Sequence, residues 1–166
     1  MSPGNLYRYF PSKEAIIAGI AERDRVDVRE QFRSVEAASD VFSALAALAR
    51  YHLVKRSAQE VALCAEIMAE SRRNPDIARI YEGVEREVKS LLKGLLERAA
   101  AQGEIAAGLD FDGLAVVLMA LADGLAWRRA VEPGFDAEAV LPIILDMVRC
   151  ALRGQTPVEQ NEGGIS

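Results

Sequence analysis

An all-α protein is predicted by three observations on the amino-acid sequence. Apolar residues recur at helical spacing from one end of the chain to the other, and runs of β-branched residues with a period of two are missing. Helix-start residues then divide the apolar stripes into segments of ordinary helix length. With 166 residues, 51% hydrophobic and 27% charged, the chain can bury one core, or one core and a small appendage.

Ser12 is placed to cap a helix carrying Ile16, Ile17, Ile20, Val28 and Phe32 and ending near Ser34. Asp40 caps the next, with Val41, Leu45, Leu48 and His52 on one stripe. Ser57 and Glu60 form an S-x-x-E capping box before Val61, Cys64, Ile67 and Met68. Asn74 followed by Pro75 opens the most regular helix, with Ile77, Ile80, Val84, Val88, Leu91, Leu95 and Ala99 on its stripe and Gly103 as its stop. Asp110 or Asp112 starts a helix reaching about Val131, and Glu132-Pro133-Gly134 is a turn. Asp136 caps a final helix ending near Gly154, in which Pro142 lies too deep for the first turn and predicts a kink or a restart. Residues 155–166 read as a disordered tail.

Charge and cysteines narrow the function classes. Residues 1 to 34 hold six basic and five acidic side chains, so the net charge of -5 belongs to the body of the chain and not to its opening. Such a balance argues against coating nucleic acid through bulk electrostatics. Cys64 and Cys150 lie in apolar runs without C-x-x-C spacing and are expected to be small buried hydrophobes, with no disulfide, metal or cofactor. No segment is apolar enough for a membrane span and no leader pattern opens the chain, so a cytoplasmic protein without membrane contact is expected.

The stretch "SPGNLYRYFPSKEAI" crowds aromatic and basic residues ahead of the first long helix. Two helical turns from Pro3 to Tyr9 put Leu6 and Phe10 inward at i and i+4 and leave Asn5, Tyr7, Arg8 and Tyr9 outside. Gly4 allows close approach of backbone to a phosphate, and Lys13 in the next first turn can reach one as a point charge. From Ser2 to Ile17 the pattern resembles the TetR family of bacterial transcriptional regulators, at the recognition helix, the turn after it and the start of the linker helix. The resemblance implies a TetR-like fold, with a helix-turn-helix remnant over 1–11, a linker helix over 12–34 and a ligand-binding and dimerisation domain over 35–154. It also implies that Tyr7, Tyr9 and Lys13 contact phosphates of double-stranded operator DNA while Ser2, Pro3, Asn5 and Arg8 lie nearest the bases. A helix-turn-helix needs supporting helices before its recognition helix. Met1 is therefore expected to be an internal methionine or a truncation point, and the chain alone is expected to bind DNA poorly.

Proteins of that kind enclose a small-molecule pocket behind the linker helix. Candidate ligand contacts are the polar or soft groups that interrupt apolar stripes: His52, Cys64, Met68, Tyr81, Met119, Asp123 and Trp127. For His52 a satisfied role in the core is the preferred reading, for Asp123 a structural hydrogen bond stays equally open, and Trp127 can pack at the domain edge or, with Tyr81, form an aromatic wall for a cationic or planar ligand. The segment "ADGLAWRRAVEPGF" is similar to the C-terminal region of choline-responsive members, and no inducer is named from it.

The last two helices are apolar nearly all round and so must be covered on all sides. A homodimer with a two-fold four-helix seam is expected, with Leu114, Val117, Leu118, Leu121, Leu125, Ile144, Met147, Val148 and Ala151 at the interface. A monomer with both helices central is the alternative. The expected function is a ligand-responsive DNA-binding regulator, read as a repressor; the alternative is a helical dimeric ligand-binding module without DNA binding. An enzyme is not expected, because the chain has one His, no G-x-S-x-G or H-E-x-x-H, and no paired E-x-x-H for a di-iron bundle.

Overall fold

Each helix begins where a side chain accepts the first orphaned backbone N–H groups. In the computed structural model, residues 10–154 are described, and they form α1 (Lys13–Ser34), α2 (Val41–Arg50) prolonged by a π-helical turn (Tyr51–Lys55), α3 (Ala58–Ser71), α4 (Pro75–Ala101), α5 (Phe111–Val131) and α6 (Ala137–Leu152). Ser12 Oγ accepts from the Ala15 N–H at 3.2 Å and Asp40 Oδ1 from Ser43 at 2.9 Å. Ser57 and Glu60 cap reciprocally, at 3.2 and 2.9 Å. Asn74 Oδ1 takes the Asp76 N–H, Asp110 takes that of Gly113, and Asp136 those of Glu138 and Ala139. Asp110 is thus the cap of α5, and Asp112 instead pairs with Lys89 and Lys93. At the far end of α4, Gly103 takes φ +76°, so its N–H reaches Ala100 O while that of Glu104 reaches Ala99 O. This is the glycine-terminated helix end that the sequence signals.

The hub of the fold is α4, which packs against α1, α2, α3 and α5, while α6 packs on α2. Along its second half, Leu92, Leu95, Leu96 and Ala99 join Val28, Phe32, Leu45, Leu48, Ala115 and Val148 in one closed core. α1 is further tied to the body by polar contacts. Lys13 meets Glu70 at 3.2 Å, Asn74 donates to Glu14 at 3.0 Å, Arg23 meets Glu60 at 3.7 Å, and Arg25 and Arg29 both meet Glu87. Ahead of α1, the half-buried Phe10 ring lies over Gly19, where an added Cβ would come within 3.0 Å of it.

Three expectations need correction. α6 does not restart at Pro142 but continues as one helix from Ala137 to Leu152, because the proline removes one bond, to the carbonyl of Glu138, and both residues are exposed so that water can satisfy it. His52 is not in a regular α-helix: the Arg56 N–H donates to Tyr51 O at 3.2 Å, an i to i+5 bond that widens the turn carrying His52. Cys64 is half-buried, but Cys150 is exposed, since it lies on the outer side of α6 with Ile143 and Met147. The segments 1–9 and 155–166, with the recognition-helix and tail expectations they carry, lie outside the described residues. Among the described residues no helix is long and apolar enough to cross a membrane.

Leu96 is fully buried at the center of this packing. Leu96→Ala is expected to lower unfolding stability by about 2–5 kcal/mol in urea denaturation, the range for a large-to-small change in a close-packed core.

Candidate functional site

Halfway along α4 the packing opens. Above Leu92 the stripe of α4 turns from the core to a cavity of about 520 Å³, walled by α1, α2, the π-helical turn, α3, α4, α5 and α6. That volume lies within the roughly 300–1,000 Å³ of small-molecule sites. Most of the wall is aliphatic, from Ile17, Ile20 and Val28 of α1 to Leu118 and Leu121 of α5 and Ile144 of α6.

All seven residues that interrupt apolar stripes, His52, Cys64, Met68, Tyr81, Met119, Asp123 and Trp127, are brought to this one cavity. Trp127 is 55% exposed, which puts it at the rim. Three charged residues of the wall, Asp24, Arg56 and Glu85, escape the stripe reading. Two of them carry the same signal as the seven. Asp24 falls between Ala21 and Val28 on the inward stripe of α1, and Glu85 sits one turn after Tyr81 on that of α4. Arg56 carries no such signal, because it follows the widened turn, whose extra residue shifts the register.

Of the nine residues expected at a dimer seam, Leu118, Leu121, Leu125, Ile144 and Val148 line the cavity instead, and Val148 is buried within the chain's own core. Leu114 packs against the core as well. Val117, Met147 and Ala151 do face outward. Beside them Val116, Trp127 and Val131 on α5 and Ile143 on α6 are each at least half exposed. The outward stripe is therefore real but one step round the helix from most of the expected residues.

The cavity has two polar clusters. On one side Arg56 reaches from the end of the π-helical turn to Asp24 Oδ1 at 3.5 Å and to Cys64 Sγ at 3.6 Å, joining α1 to α3. Burial pushes the Asp24 carboxyl and the Cys64 thiol up, with Arg56 acting in the opposite direction on both. Burial, and then the Arg56 charge, hold His52 down to about 4, so it is neutral near pH 7. The second cluster is Tyr81 and Glu85 of α4 with Asp123 of α5, and Tyr81 also feels the charge of Cys64. Burial raises both carboxyls, and the Asp123 charge raises Glu85 further. The Tyr81 hydroxyl is pushed up by burial and then by the charges of Glu85 and Asp123. Among the described residues no group of three or more potential ligands is arranged to hold a metal ion.

Residues 44–153 match the family described as BetI-type transcriptional repressor, C-terminal. The chain belongs to the TetR family of transcriptional regulators. It is 30% identical over 109 residues to the HTH-type transcriptional regulator UidR of Escherichia coli K12, and equally to UidR of Shigella flexneri, an overlap of 63% of this chain and 53% of each relative. The chain thus spans about half the length of the UidR proteins it matches. The solved structure of Salmonella enterica GusR superposes with a TM-score of 0.74 at 30% identity, covering 93% of this chain and 78% of that one. The all-α, TetR-like fold read from the sequence is the fold of this TetR-family chain. Of the residues assigned to DNA, Ser2, Pro3, Gly4, Asn5, Tyr7, Arg8 and Tyr9 fall outside the described segment, while Lys13 is exposed at the start of α1 and paired with Glu70.

His52 gives a pH signature. Its folded pKa of about 4 lies below the unfolded value near 6.5, so the unfolded chain binds the proton first and stability falls as pH drops from 6.5 toward 4. The raised carboxyls of Asp24, Glu85 and Asp123 act with the opposite sign, which makes a difference measurement necessary. Between pH 7 and pH 5 the melting temperature of the parent chain is expected to fall further than that of His52→Gln. Equal falls would show that His52 is not held neutral.

Proposed function

We propose that this chain is the sensing and pairing part of a ligand-responsive, DNA-binding transcriptional regulator of the TetR type, acting as a homodimer and as a repressor. One observation carries the reading: α1, which continues directly from the aromatic and basic opening segment, is itself a wall of the cavity through Ile17, Ile20, Ala21, Asp24 and Val28. An occupant of the cavity touches the helix that leads to the DNA-reading segment. Regulation then needs only that the small molecule prefer one placement of α1 over another, because a ligand with equal affinity for both shifts nothing. A pair of recognition helices on a two-fold DNA site is sensitive to small changes in their spacing, which is why the displacement need not be large. A cytoplasmic location fits this reading.

Pairing is supported by the outward apolar stripes of the last two helices. Val117, Ala120, Gly124, Trp127 and Val131 follow one another at spacings of three and four on α5, and Ile143, Met147 and Cys150 do so on α6. All are exposed in the isolated chain. Adjacent apolar stripes of this kind are the usual material of a two-fold four-helix seam.

The test is a gel shift on the DNA flanking the chain's own gene, with and without small organic compounds selected by thermal stabilisation. Tight, salt-sensitive and sequence-selective binding that a compound reverses supports the regulator. Compound binding with no retention of DNA marks this chain by itself as a dimeric ligand-binding module, in line with the expectation that it binds DNA poorly alone and with its overlap with only about half of each UidR relative. For the pairing itself, Val117→Glu combined with Met147→Glu is expected to turn a dimer into a monomer in size-exclusion chromatography with light scattering at micromolar concentration. A parent chain that is monomeric there would end the pairing proposal.

A further inference from the structure

The ionisable groups of the cavity wall do not balance. Three carboxylates, those of Asp24, Glu85 and Asp123, face one permanent cation, Arg56. Asp24 takes that cation for itself at 3.5 Å. His52 adds no charge near neutrality. Glu85 and Asp123, both half-buried on neighbouring helices, have no basic side chain in ion-pair contact among the described residues, and each lies where the other's field is felt or burial alone governs it.

Their surroundings repeat on the two helices. Tyr81 stands one turn before Glu85 on α4, and Trp127 stands one turn after Asp123 on α5, so each helix presents a carboxylate and an aromatic side chain on the same face. Carboxylates without a cation in a largely apolar cavity call for a positive charge, and with only the Tyr81 hydroxyl donating to Glu85 they also call for further hydrogen-bond donors, because an ionised carboxylate offers about four acceptor sites and no donor. Aromatic faces add to the attraction for a cation. A quaternary ammonium would bring charge without donors, and its usual recognition is a cage of aromatics, where here two carboxylates share the wall with two aromatic side chains.

We infer that the cavity takes a protonated primary or secondary amine on an apolar body, its N–H groups held by Glu85 and Asp123, its charge flanked by Tyr81 and Trp127, and its body against the aliphatic wall. This inference rests on the reading of the cavity as an effector site.

The test uses the chain as it is and four probes that share one body: 4-phenylbutylamine, its N-trimethylated derivative, 4-phenylbutanol and 4-phenylbutyrate, compared by titration calorimetry at pH 7.5. The amine is expected to bind at least about tenfold more tightly than the alcohol and the trimethylated cation, and the carboxylate weakest of all, in line with charge-assisted hydrogen bonds being about twice as strong as neutral ones. Glu85→Gln and Asp123→Asn are each expected to weaken the amine by about tenfold or more while leaving the alcohol within about twofold, since they remove charge and keep shape. Unchanged binding of the alcohol also reports that the variants are folded. Equal binding of amine and alcohol, tighter binding of the carboxylate, parity of the trimethylated cation, or an amine affinity indifferent to both variants would overturn the inference. So would failure of all four probes. In that last case a broad library of uncharged and anionic compounds separates the two readings: a hit there keeps the effector site and discards the amine, and silence there discards the effector site as well.

Discussion

The structure depends on one helix that has to satisfy two demands at once. α4 is 27 residues long, which corresponds to roughly 40 Å at the rise of an α-helix. Its second half sits in a closed core with Leu96 fully buried, while its first half, beyond the anchoring Ile77, gives Ile80, Tyr81, Val84, Glu85 and Val88 to the wall of a cavity. A single stripe at helical spacing runs through both. The dense half holds α1, α2 and α5 in place, and that support is what allows the hollow half to remain open without collapse. An interior packed to the usual density throughout would leave no such volume.

Polar groups then decide what the hollow half is. A purely aliphatic cavity of this size would gain by closing, since each unfilled volume costs packing energy. Half-buried Asp24, Arg56, Glu85 and Asp123 resist closure, because drawing the walls together would strip their remaining water without supplying partners. The Asp24 and Arg56 pair offsets part of that cost by contact, whereas Glu85 has only the Tyr81 hydroxyl and Asp123 has no ion-pair partner among the described residues. The widened turn at Tyr51–Lys55 belongs to the same arrangement. By admitting an extra residue it carries Arg56 to Asp24 and Cys64, where a regular α-helical turn would displace it by about 100° per residue.

Much of the fold was legible in the sequence because helix ends are local. Ser12, Asp40, Ser57, Asn74, Asp110 and Asp136 cap their helices with side chains that act within three residues, and Gly103 ends one by its own conformation. The cavity residues were legible for a related reason: a polar residue at an inward helical position has to face something other than aliphatic core, and His52, Cys64, Tyr81 and Asp123 all do. Glu85 and Asp24 follow the same rule, but the many charges on their helices hide the pattern. The outward stripe was placed too far round because α5 and α6 are apolar on nearly every side. Composition then says that two faces are covered, but not which residues meet the chain's own core and which are left outside. Arg56 and the passage of α6 through Pro142 depend on a local widening and on one solvated carbonyl, and neither leaves a mark in periodicity.

The way α1 is held bears on how it could respond to an occupant. Its links at the near end, Lys13 to Glu70 at 3.2 Å and Asn74 to Glu14 at 3.0 Å, are polar, and the Lys13 side chain is 59% exposed, where an ion pair contributes only about 0–1 kcal/mol. At the far end Val28 and Phe32 are buried where the core meets the floor of the cavity. Between these lie Ile20, Ala21 and Asp24, which rest on the cavity. A helix anchored firmly at one end, weakly at the other and supported by a cavity between them is arranged to swing about its C-terminal end.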